Sequence, residues 1–211
     1  MGLTKQRGGR GDDDDPAGVQ ATVAYLQQLG GADVALVCEY SKWVLESDAA
    51  EGLRIFTSSA GEGLDQAVIL DHLTAVAPAC VRAYVEHVVT IRGDPSPALH
   101  DELIVLYLKD LQAEDAAGDA AAAVERRREV RSKLTKFLRE SAGYTPERFL
   151  ANPAFNDLLA ERAVLLQRIG QHEAALHIYV HRLGQLGEAG LDEGLLSFSL
   201  LHSRLYGASI Y

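Results

Sequence analysis

Positive charge, cysteine and long apolar runs are all scarce in this chain of 211 residues. The net charge is −10 at pH 7, and because nucleic-acid binding draws on positive charge to neutralise phosphates, we expect no nucleic-acid partner. Only two cysteines are present, Cys38 and Cys80, which argues against a disulfide framework and against a cysteine-rich zinc module. No run approaches the roughly 18 apolar residues of a transmembrane helix, and the N-terminus has no apolar signal core. We therefore expect a protein of a reducing compartment with no membrane-spanning segment.

The short motifs of common catalytic sites are also missing. Gly61–Gly63 is not followed by the lysine of a phosphate-binding loop, and no GxSxG nucleophile elbow occurs. His172 and His177 resemble a zinc-protease pair, but five residues separate them by about 140° around a helix, so they cannot share a metal. Glu173, His177 and His181 have the spacing of a helical metal site. The apolar residues on the opposite side of this helix, Val180 among them, are expected to form its packed face, so the two histidines are expected on the solvated side. We expect no catalytic residue, no metal and no cofactor.

One stretch, Leu158–Leu183, reads LLAERAVLLQRIGQHEAALHIYVHRL and is the most informative part of the chain. Ala163, Gly170, Ala175 and Tyr179 recur at the offsets of a tetratricopeptide-like helical hairpin. The two small side chains let the helices approach closely, Gly170 permits the turn, and Tyr179 fills the gap between layers. A hairpin of this kind cannot bury its apolar face alone, so the pattern predicts a stack of hairpins.

Helical periodicity dominates elsewhere too, and no segment alternates in the manner of a half-buried strand. Gly52 and Phe56 stand five and nine residues after Ser47. Ala175 and Tyr179 follow Gly170 at the same distances in the hairpin just described. Asp48 is placed to cap the start of the helix that carries Gly52 and Phe56. About ten helices with short loops are expected, so the predicted fold class is all-α, an α-solenoid of tetratricopeptide-like or clathrin-heavy-chain-repeat-like hairpins. The aromatic residues expected to pack between helices are Tyr40, Trp43, Phe56, Phe137 and Tyr179.

A family resemblance covers most of the chain, from about Tyr25 to Leu183. It is carried by the hairpin Leu158–Leu183 and by four further blocks: EYSKWVLESDAAEGLRIFT (Glu39–Thr57), YVEHVV (Tyr84–Val89), LIVLYL (Leu103–Leu108) and SKLTKFLRESAGYTPERFL (Ser132–Leu150). In this order and spacing the chain resembles the vacuolar sorting protein 39 and TGF-beta receptor-associated protein family. The resemblance implies a solenoid segment of a membrane-tethering subunit, of the kind found in HOPS- or CORVET-like complexes.

The same resemblance implies the partners and the location. Other tethering-complex subunits are the expected partners, and a Rab-type small GTPase is expected to bind only through parts absent here, because the family's β-propeller has no counterpart before Tyr25. The expected location is the cytoplasm, with peripheral association at the membrane of the late endosome, lysosome or vacuole. Two alternatives stay open: a tetratricopeptide-like adaptor in TGF-beta-type receptor signalling, and an all-α enzyme with a site assembled across helices.

Composition and resemblance together divide the chain into four regions. Residues 1–20 are expected to form a disordered, charged N-terminus, and residues 21–92 a set of solenoid hairpins. A proline- and glycine-rich break precedes residues 98–184, which resemble the first conserved domain of vacuolar sorting protein 39. Residues 185–211 form a divergent tail that the resemblance does not cover.

One strongly basic helix stands out in this acidic protein and is the single candidate site. Its basic residues are Arg126, Arg127, Arg128, Arg131, Lys133, Lys136 and Arg139. Its apolar stripe, which we expect to be packed, consists of Val130, Leu134, Phe137 and Leu138. They are candidates for docking anionic lipid headgroups or an acidic partner helix. The alternative is a solvated face whose charges are balanced by glutamates one turn away, at Glu125 and Glu129.

Overall fold

A computed structural model of the chain describes residues 16–183, except 117 and 119. Within these ranges the secondary structure is helical and no strand occurs, which confirms the predicted all-α class. The α-helices are α1 (Pro16–Leu29), α2 (Val34–Ser47), α3 (Ala49–Thr57), α4 (Gln66–Val76), α5 (Pro78–Thr90), α6 (Pro97–Ala116), α7 (Ala121–Glu140), α8 (Pro146–Leu150), α9 (Leu159–Arg168) and α10 (His172–His177). Short 3₁₀ helices span Gly30–Asp33, Ser59–Gly63 and Pro153–Asn156, and a π-helix, Ile178–Leu183, continues α10. The predicted tail, residues 185–211, lies outside the described residues.

The first helix begins earlier than the sequence pattern indicated. Residues 1–20 were expected to be disordered, but α1 starts at Pro16, so that boundary was wrong for the last five of them. The reason is that Val19 is only 6% exposed and packs with Val23 into the hydrophobic core of the first hairpins. Proline also fits the first turn of a helix, where its missing N–H costs no hydrogen bond.

Aspartate caps fix where the hairpin helices start. Asp48 accepts hydrogen bonds from the backbone N–H groups of Ala50 and Glu51, as predicted, and so begins α3 directly after α2. Asp33 caps α2 and Asp65 caps α4 through bonds of the same type. Because each cap satisfies backbone donors that the helix leaves unpaired, the turns between neighbouring helices are short and defined.

The described residues form two compact units, divided between Leu106 and Tyr107. This division lies inside α6, beyond the proline-rich loop at which the sequence suggested a break. In the first unit, α2 pairs with α3 and α4 with α5, while α2 also lies beside α4 and α3 beside α5. In hairpin solenoids, the first helices of successive hairpins lie side by side, and so do the second helices. α1 packs against both α2 and α3 and extends the stack by one helix.

The second unit contains the hairpin that the sequence singled out. Helices α9 and α10 pack against each other, and α7 and α8 pack on α9. Gly170 lies in the turn with φ of 78°, a left-handed conformation that favours glycine, so the predicted turn is confirmed. Ala163 and Ala175 are fully buried in one hydrophobic cluster, and Tyr179 packs against it.

Two expected packing faces differ from the structure. Tyr40 and Trp43, expected between helices, are 53% and 38% exposed, because α2 instead buries the face that carries Val37 and Ser41. The small Ser41 side chain fits there because its hydroxyl hydrogen-bonds with His72 Nε2 of the adjacent α4, at 2.9 Å. Val180 was expected on the packed side of the last helix but is 61% exposed. It follows the change from α- to π-helix at Ile178, which rotates later side chains away from their α-helical positions.

Candidate functional site

The basic helix is α7, and its packed face is the predicted one. Val130, Leu134, Phe137 and Leu138 are all buried, so this apolar stripe faces the interior of the second unit. The seven basic residues occupy the remaining positions and fall into three groups with different partners.

The first group, Arg126 and Arg127, faces the end of α6. Arg126 Nε donates to both carboxylate oxygens of Glu114, at 2.9 and 3.0 Å, and Arg127 Nε lies 2.7 Å from Asp115 Oδ1. The hydrogen bond to Glu114 raises the pKa of Arg126 further above its usual range. These pairs tie α7 to the acidic last turns of α6, so both guanidinium groups have partners within the second unit.

The second group is a single residue, Arg131, which pairs with a buried carboxylate. Arg131 Nε and Nη2 donate to Glu161 Oε1 and Oε2 at 2.8 and 3.0 Å, and Thr135 Oγ1 donates to Glu161 Oε1 at 2.8 Å. The Glu161 side chain is 1% exposed and that of Arg131 is 42% exposed. The hydrogen bond to Glu161 raises the pKa of Arg131, although partial desolvation opposes the shift. A two-pronged pair of this kind fixes both position and rotation, so it sets how α7 lies on α9.

The third group lies on the outward face of the helix. Arg128, Lys136 and Arg139 are exposed, whereas Lys133 is half-buried and pairs with Glu129 one turn earlier, at 2.8 Å. The glutamate pairing anticipated by the solvated-face alternative therefore forms at Lys133. The docking role of the seven residues is still a prediction, and four of the seven, Arg126, Arg128, Lys136 and Arg139, are exposed.

The C-terminal end of α7 is held by an arginine that the sequence pattern did not single out. Arg168 Nη2 donates to the carbonyl oxygens of Arg139 and Ser141, at 2.6 and 2.7 Å. Its guanidinium carbon lies 5.9 Å from the ring centre of Tyr144, whose hydroxyl donates to Leu138 O at 2.7 Å. Unpaired carbonyls at a helix end attract a cation, so Arg168 closes α7 and joins it to α9.

A run of aromatic rings continues from this point through the second unit. Successive ring centres lie 6.1 to 6.5 Å apart along Tyr107, Phe137, Tyr144, Phe149 and Phe155. Edge and tilted contacts at these distances are favourable beyond simple burial. Three of the rings come from the SKLTKFLRESAGYTPERFL block, so the block that carries the family resemblance has a packing role here.

Sequence reasoning missed Glu161 and Arg168, and a signal for one of them existed. Glu161 stands three and four residues before Val164 and Leu165, on the packed face of α9. A carboxylate in a packed position opposite a strongly basic helix indicates an ion pair, since buried charges are paired. Arg168 gives no comparable signal, because a basic residue in the last turn of a helix is common.

The histidines of the last hairpin do not form a metal centre. The rings of His177 and His181 lie 4.8 Å apart, centre to centre, on an exposed side of the chain. Across residues 16–183, with the two gaps noted above, no group of histidine, cysteine, aspartate and glutamate is arranged to hold a metal ion. Over the same residues, no helix combines the length and the apolar character needed to span a bilayer.

Comparison with known proteins gives a consistent set of relatives. The chain is 38% identical to the vacuolar protein sorting-associated protein 39 homolog of Drosophila melanogaster over 82% of its own length, which is 20% of that protein. It is 36% identical to the Vam6/Vps39-like protein of Mus musculus over 79% of the chain and 20% of that protein. It is 32% identical to human transforming growth factor-beta receptor-associated protein 1 over 74% of the chain and 18% of that protein. The chain thus spans about one fifth of these relatives. No family model and no solved structure matches.

Proposed function

We propose that this chain, which is homologous to one segment of the vacuolar sorting protein 39 and TGF-beta receptor-associated protein family, acts as a non-catalytic scaffold in vesicle-mediated transport. The homology confirms the predicted resemblance. The proposed role is to form part of a protein that tethers endosomes, lysosomes or vacuoles before fusion. Because the chain spans about one fifth of its relatives, the role of the whole relatives is carried over as a proposal only.

The observation that carries this proposal is the 38% identity to a protein named for vacuolar sorting, over 82% of the chain. The matched length is long enough to include both helical units, so the likeness is not confined to one hairpin. The stacked hairpins support a scaffold, since helices that bury one apolar seam leave extended polar faces for partners.

The proposed partners follow from the same homology. Other subunits of a HOPS- or CORVET-like complex bind the exposed helix faces, and a Rab-type GTPase binds the tethering protein through parts outside this chain. The location is the cytoplasmic surface of the late endosome, lysosome or vacuole, by peripheral association. On α7, the exposed Arg128, Lys136 and Arg139 are the proposed docking residues for an acidic partner helix or anionic lipid headgroups.

The α7 proposal has its own test. We expect a variant with Arg128→Glu and Lys136→Glu to lose cosedimentation with vesicles containing phosphatidylserine, or to lose binding to an acidic partner. Charge reversal at Arg131 is unsuitable, because it would break the pair with Glu161 and unfold the local packing. If the double variant keeps both kinds of binding, α7 is a solvated face.

An adaptor in receptor signalling is the second candidate, favoured by the 32% identity to a protein named for association with the TGF-beta receptor. Purification of the tagged chain from cells with marked late endosomes separates the two. Recovery of tethering subunits and colocalisation with the marker support the transport role. Recovery of receptor or Smad-type proteins, without tethering subunits, supports the signalling role and contradicts the proposal.

A further inference from the structure

The surface between α1 and α2 forms a groove with aromatic residues exposed along it. The groove belongs to the first unit and is lined by Ala21, Thr22, Tyr25, Leu26, Leu36 and Tyr40. Its floor is apolar, because Leu26 is 2% exposed and is part of the hydrophobic core. The groove therefore offers an apolar floor between two exposed tyrosine rings, one from each helix.

The exposure of these rings is high for large aromatic side chains. Tyr25 is 61% exposed, Tyr40 53% and Trp43, one turn beyond Tyr40, 38%. Helix α1 also carries no charged residue over its 14 positions, although half of a surface helix is usually polar and charged. Single exposed aromatics are ordinary, but two that line one groove, with a third one turn beyond, match the composition of binding hot spots.

The rim of the groove is acidic on the α2 side. Since each residue turns a helix by about 100°, Glu39 lies about 60° around the helix from the lining residue Leu36 and Glu46 about 80°, while Lys42 lies about 120° away. Lys42 Nζ lies 4.0 Å from Glu46 Oε1, so these two charges partly offset each other and the three residues together keep a net negative charge through Glu39. With a net charge of −10 on the whole chain, the potential around the groove favours a positively charged partner.

We infer that this groove docks an amphipathic helix of a partner protein, with aliphatic or aromatic anchors on one face and basic residues flanking them. The tyrosine rings clasp the apolar anchors, and Glu39 and Glu46 face the basic flanks. The inference rests on the proposed function in that a scaffold works by binding partners. It concerns one surface, however, and its test measures that surface directly.

Other occupants fit the groove less well. A second copy of the chain would bring the same acidic rim and the same net charge of −10 against itself. An anionic membrane would meet that rim with charge of the same sign. A basic amphipathic helix satisfies both the apolar floor and the rim, which is why it is the proposed occupant.

The test uses Trp43, which is the only tryptophan of the chain and lies one helical turn beyond Tyr40, a residue that lines the groove. The probe is an 18-residue peptide without tryptophan that places leucines on one helical face and lysines on the other. A peptide with glutamate in place of lysine, and a scrambled lysine peptide without an apolar face, serve as comparisons. We expect a saturable blue shift of Trp43 emission with the lysine peptide, and at least about tenfold weaker binding of both comparisons.

Variants of exposed residues place the binding site. Tyr25→Ser together with Tyr40→Ser is expected to weaken the lysine peptide by about tenfold or more without changing the circular dichroism spectrum. Ile91→Ser is the matched control, because Ile91 is an exposed apolar residue, 73% exposed, at the end of α5. Glu39→Lys with Glu46→Lys is expected to reverse the preference between the lysine and glutamate peptides.

Several results would overturn the inference. They are equal binding of all three peptides, no saturable shift, or a loss of binding with Ile91→Ser as large as that with the tyrosine variant. A blue shift that grows with protein concentration alone would assign the groove to self-association, and one produced by phosphatidylcholine vesicles would assign it to a membrane. Each of these results leaves recovery of tethering subunits unaffected, so the failure of this inference is distinguishable from failure of the proposed function.

Discussion

The two units hold their helical hairpins together in different ways. In the first unit the helices approach closely: a Cβ placed on Gly52 of α3 would lie 2.9 Å from the Cα of Leu45 in α2. In the second unit, the corresponding small residue is the buried Ala175. An ion pair between the partly exposed Arg131 and the buried Glu161, together with a run of aromatic rings, fixes the neighbouring helices. The same hairpin pattern in sequence can therefore be stabilised either by close approach of the helices or by an ion pair and aromatic contacts.

The two units nevertheless share one kind of contact. In each unit an arginine reaches back to the carbonyl groups at the end of an earlier helix. Arg92 Nη2 donates to Phe56 O at 2.7 Å in the first unit, and Arg168 donates to the end of α7 in the second. Such bonds satisfy acceptors that a helix cannot pair internally, and they join packed helices that are not consecutive in the sequence.

The largest expected effect concerns the polar network of the second unit. Glu161→Ala leaves Arg131 without its buried acceptor and creates a cavity, while Thr135 keeps only its bond to Arg131 O, so we expect a loss of about 3 kcal/mol in the free energy of unfolding. Chemical denaturation measures the loss, and hydrogen exchange should rise in α7 and α9 rather than in α2 and α3. Glu173→Ala, on the exposed start of α10, is the control.

A double variant sharpens this prediction. Arg131→Met with Glu161→Leu removes both charges and keeps apolar volume, so we expect it to recover much of the stability lost by Glu161→Ala. If Glu161→Ala is as stable as the unsubstituted protein, the ion pair does not fix these helices and the contrast between the units disappears.

The next largest effect concerns the first unit. Gly52→Ala improves intrinsic helix propensity, yet its methyl group would press against Leu45, including the Cα, at under 3 Å. We expect a net destabilisation of about 2 kcal/mol, with exchange raised in α2 and α3. Ala50→Gly, at an exposed position of the same helix, tests propensity alone and should cost no more than about 1 kcal/mol. A stabilised Gly52→Ala protein would show that the two helices have room to separate.

A smaller effect is expected from the arginine that closes α7. Arg168→Gln removes the charged donor from the carbonyls of Arg139 and Ser141 but keeps part of the side-chain length. We expect a loss of about 1 kcal/mol, since these bonds are exposed to solvent. The midpoint of urea denaturation measures it, with Arg162→Gln as a comparison at a longer, weaker contact of 3.3 Å to Asn156. Equal losses in the two variants would contradict a specific capping role.

The smallest effect is a pH dependence of the first unit. Burial, with a lesser contribution from Lys42, lowers the pKa of His72 below its ordinary value near 6.5, and burial also lowers the pKa of His87. The unfolded chain therefore binds protons first as the pH falls below about 6.5, so the first unit loses stability on acidification in that window. His72→Gln with His87→Gln should flatten the dependence measured by thermal denaturation between about pH 7 and pH 5. An unchanged slope would show that these histidines do not cause it.

Features set by neighbouring residues could be predicted from the sequence, whereas contacts between distant residues could not. The stripe of α7, the turn at Gly170 and the cap at Asp48 follow local rules and were predicted, because each depends on residues within one or two turns. The prediction that Tyr40 and Trp43 pack between helices was wrong, because the buried face of α2 depends on the side from which α3 and α4 approach. Partners such as Glu161 for Arg131 lie 30 residues apart, so only the packed structure brings them together.

The central claim is the proposed one, that this chain acts as a scaffold segment of a protein that tethers membranes. The direct test replaces the matched fifth of the Drosophila relative with this chain and expresses the chimera in cells that lack that relative. We predict that the chimera copurifies with the other tethering subunits and restores contact between late endosomes and lysosomes, whereas the same chimera carrying Glu161→Ala does not. A chimera that is as abundant and folded as the natural protein, yet behaves like a deletion of the segment, would contradict the claim.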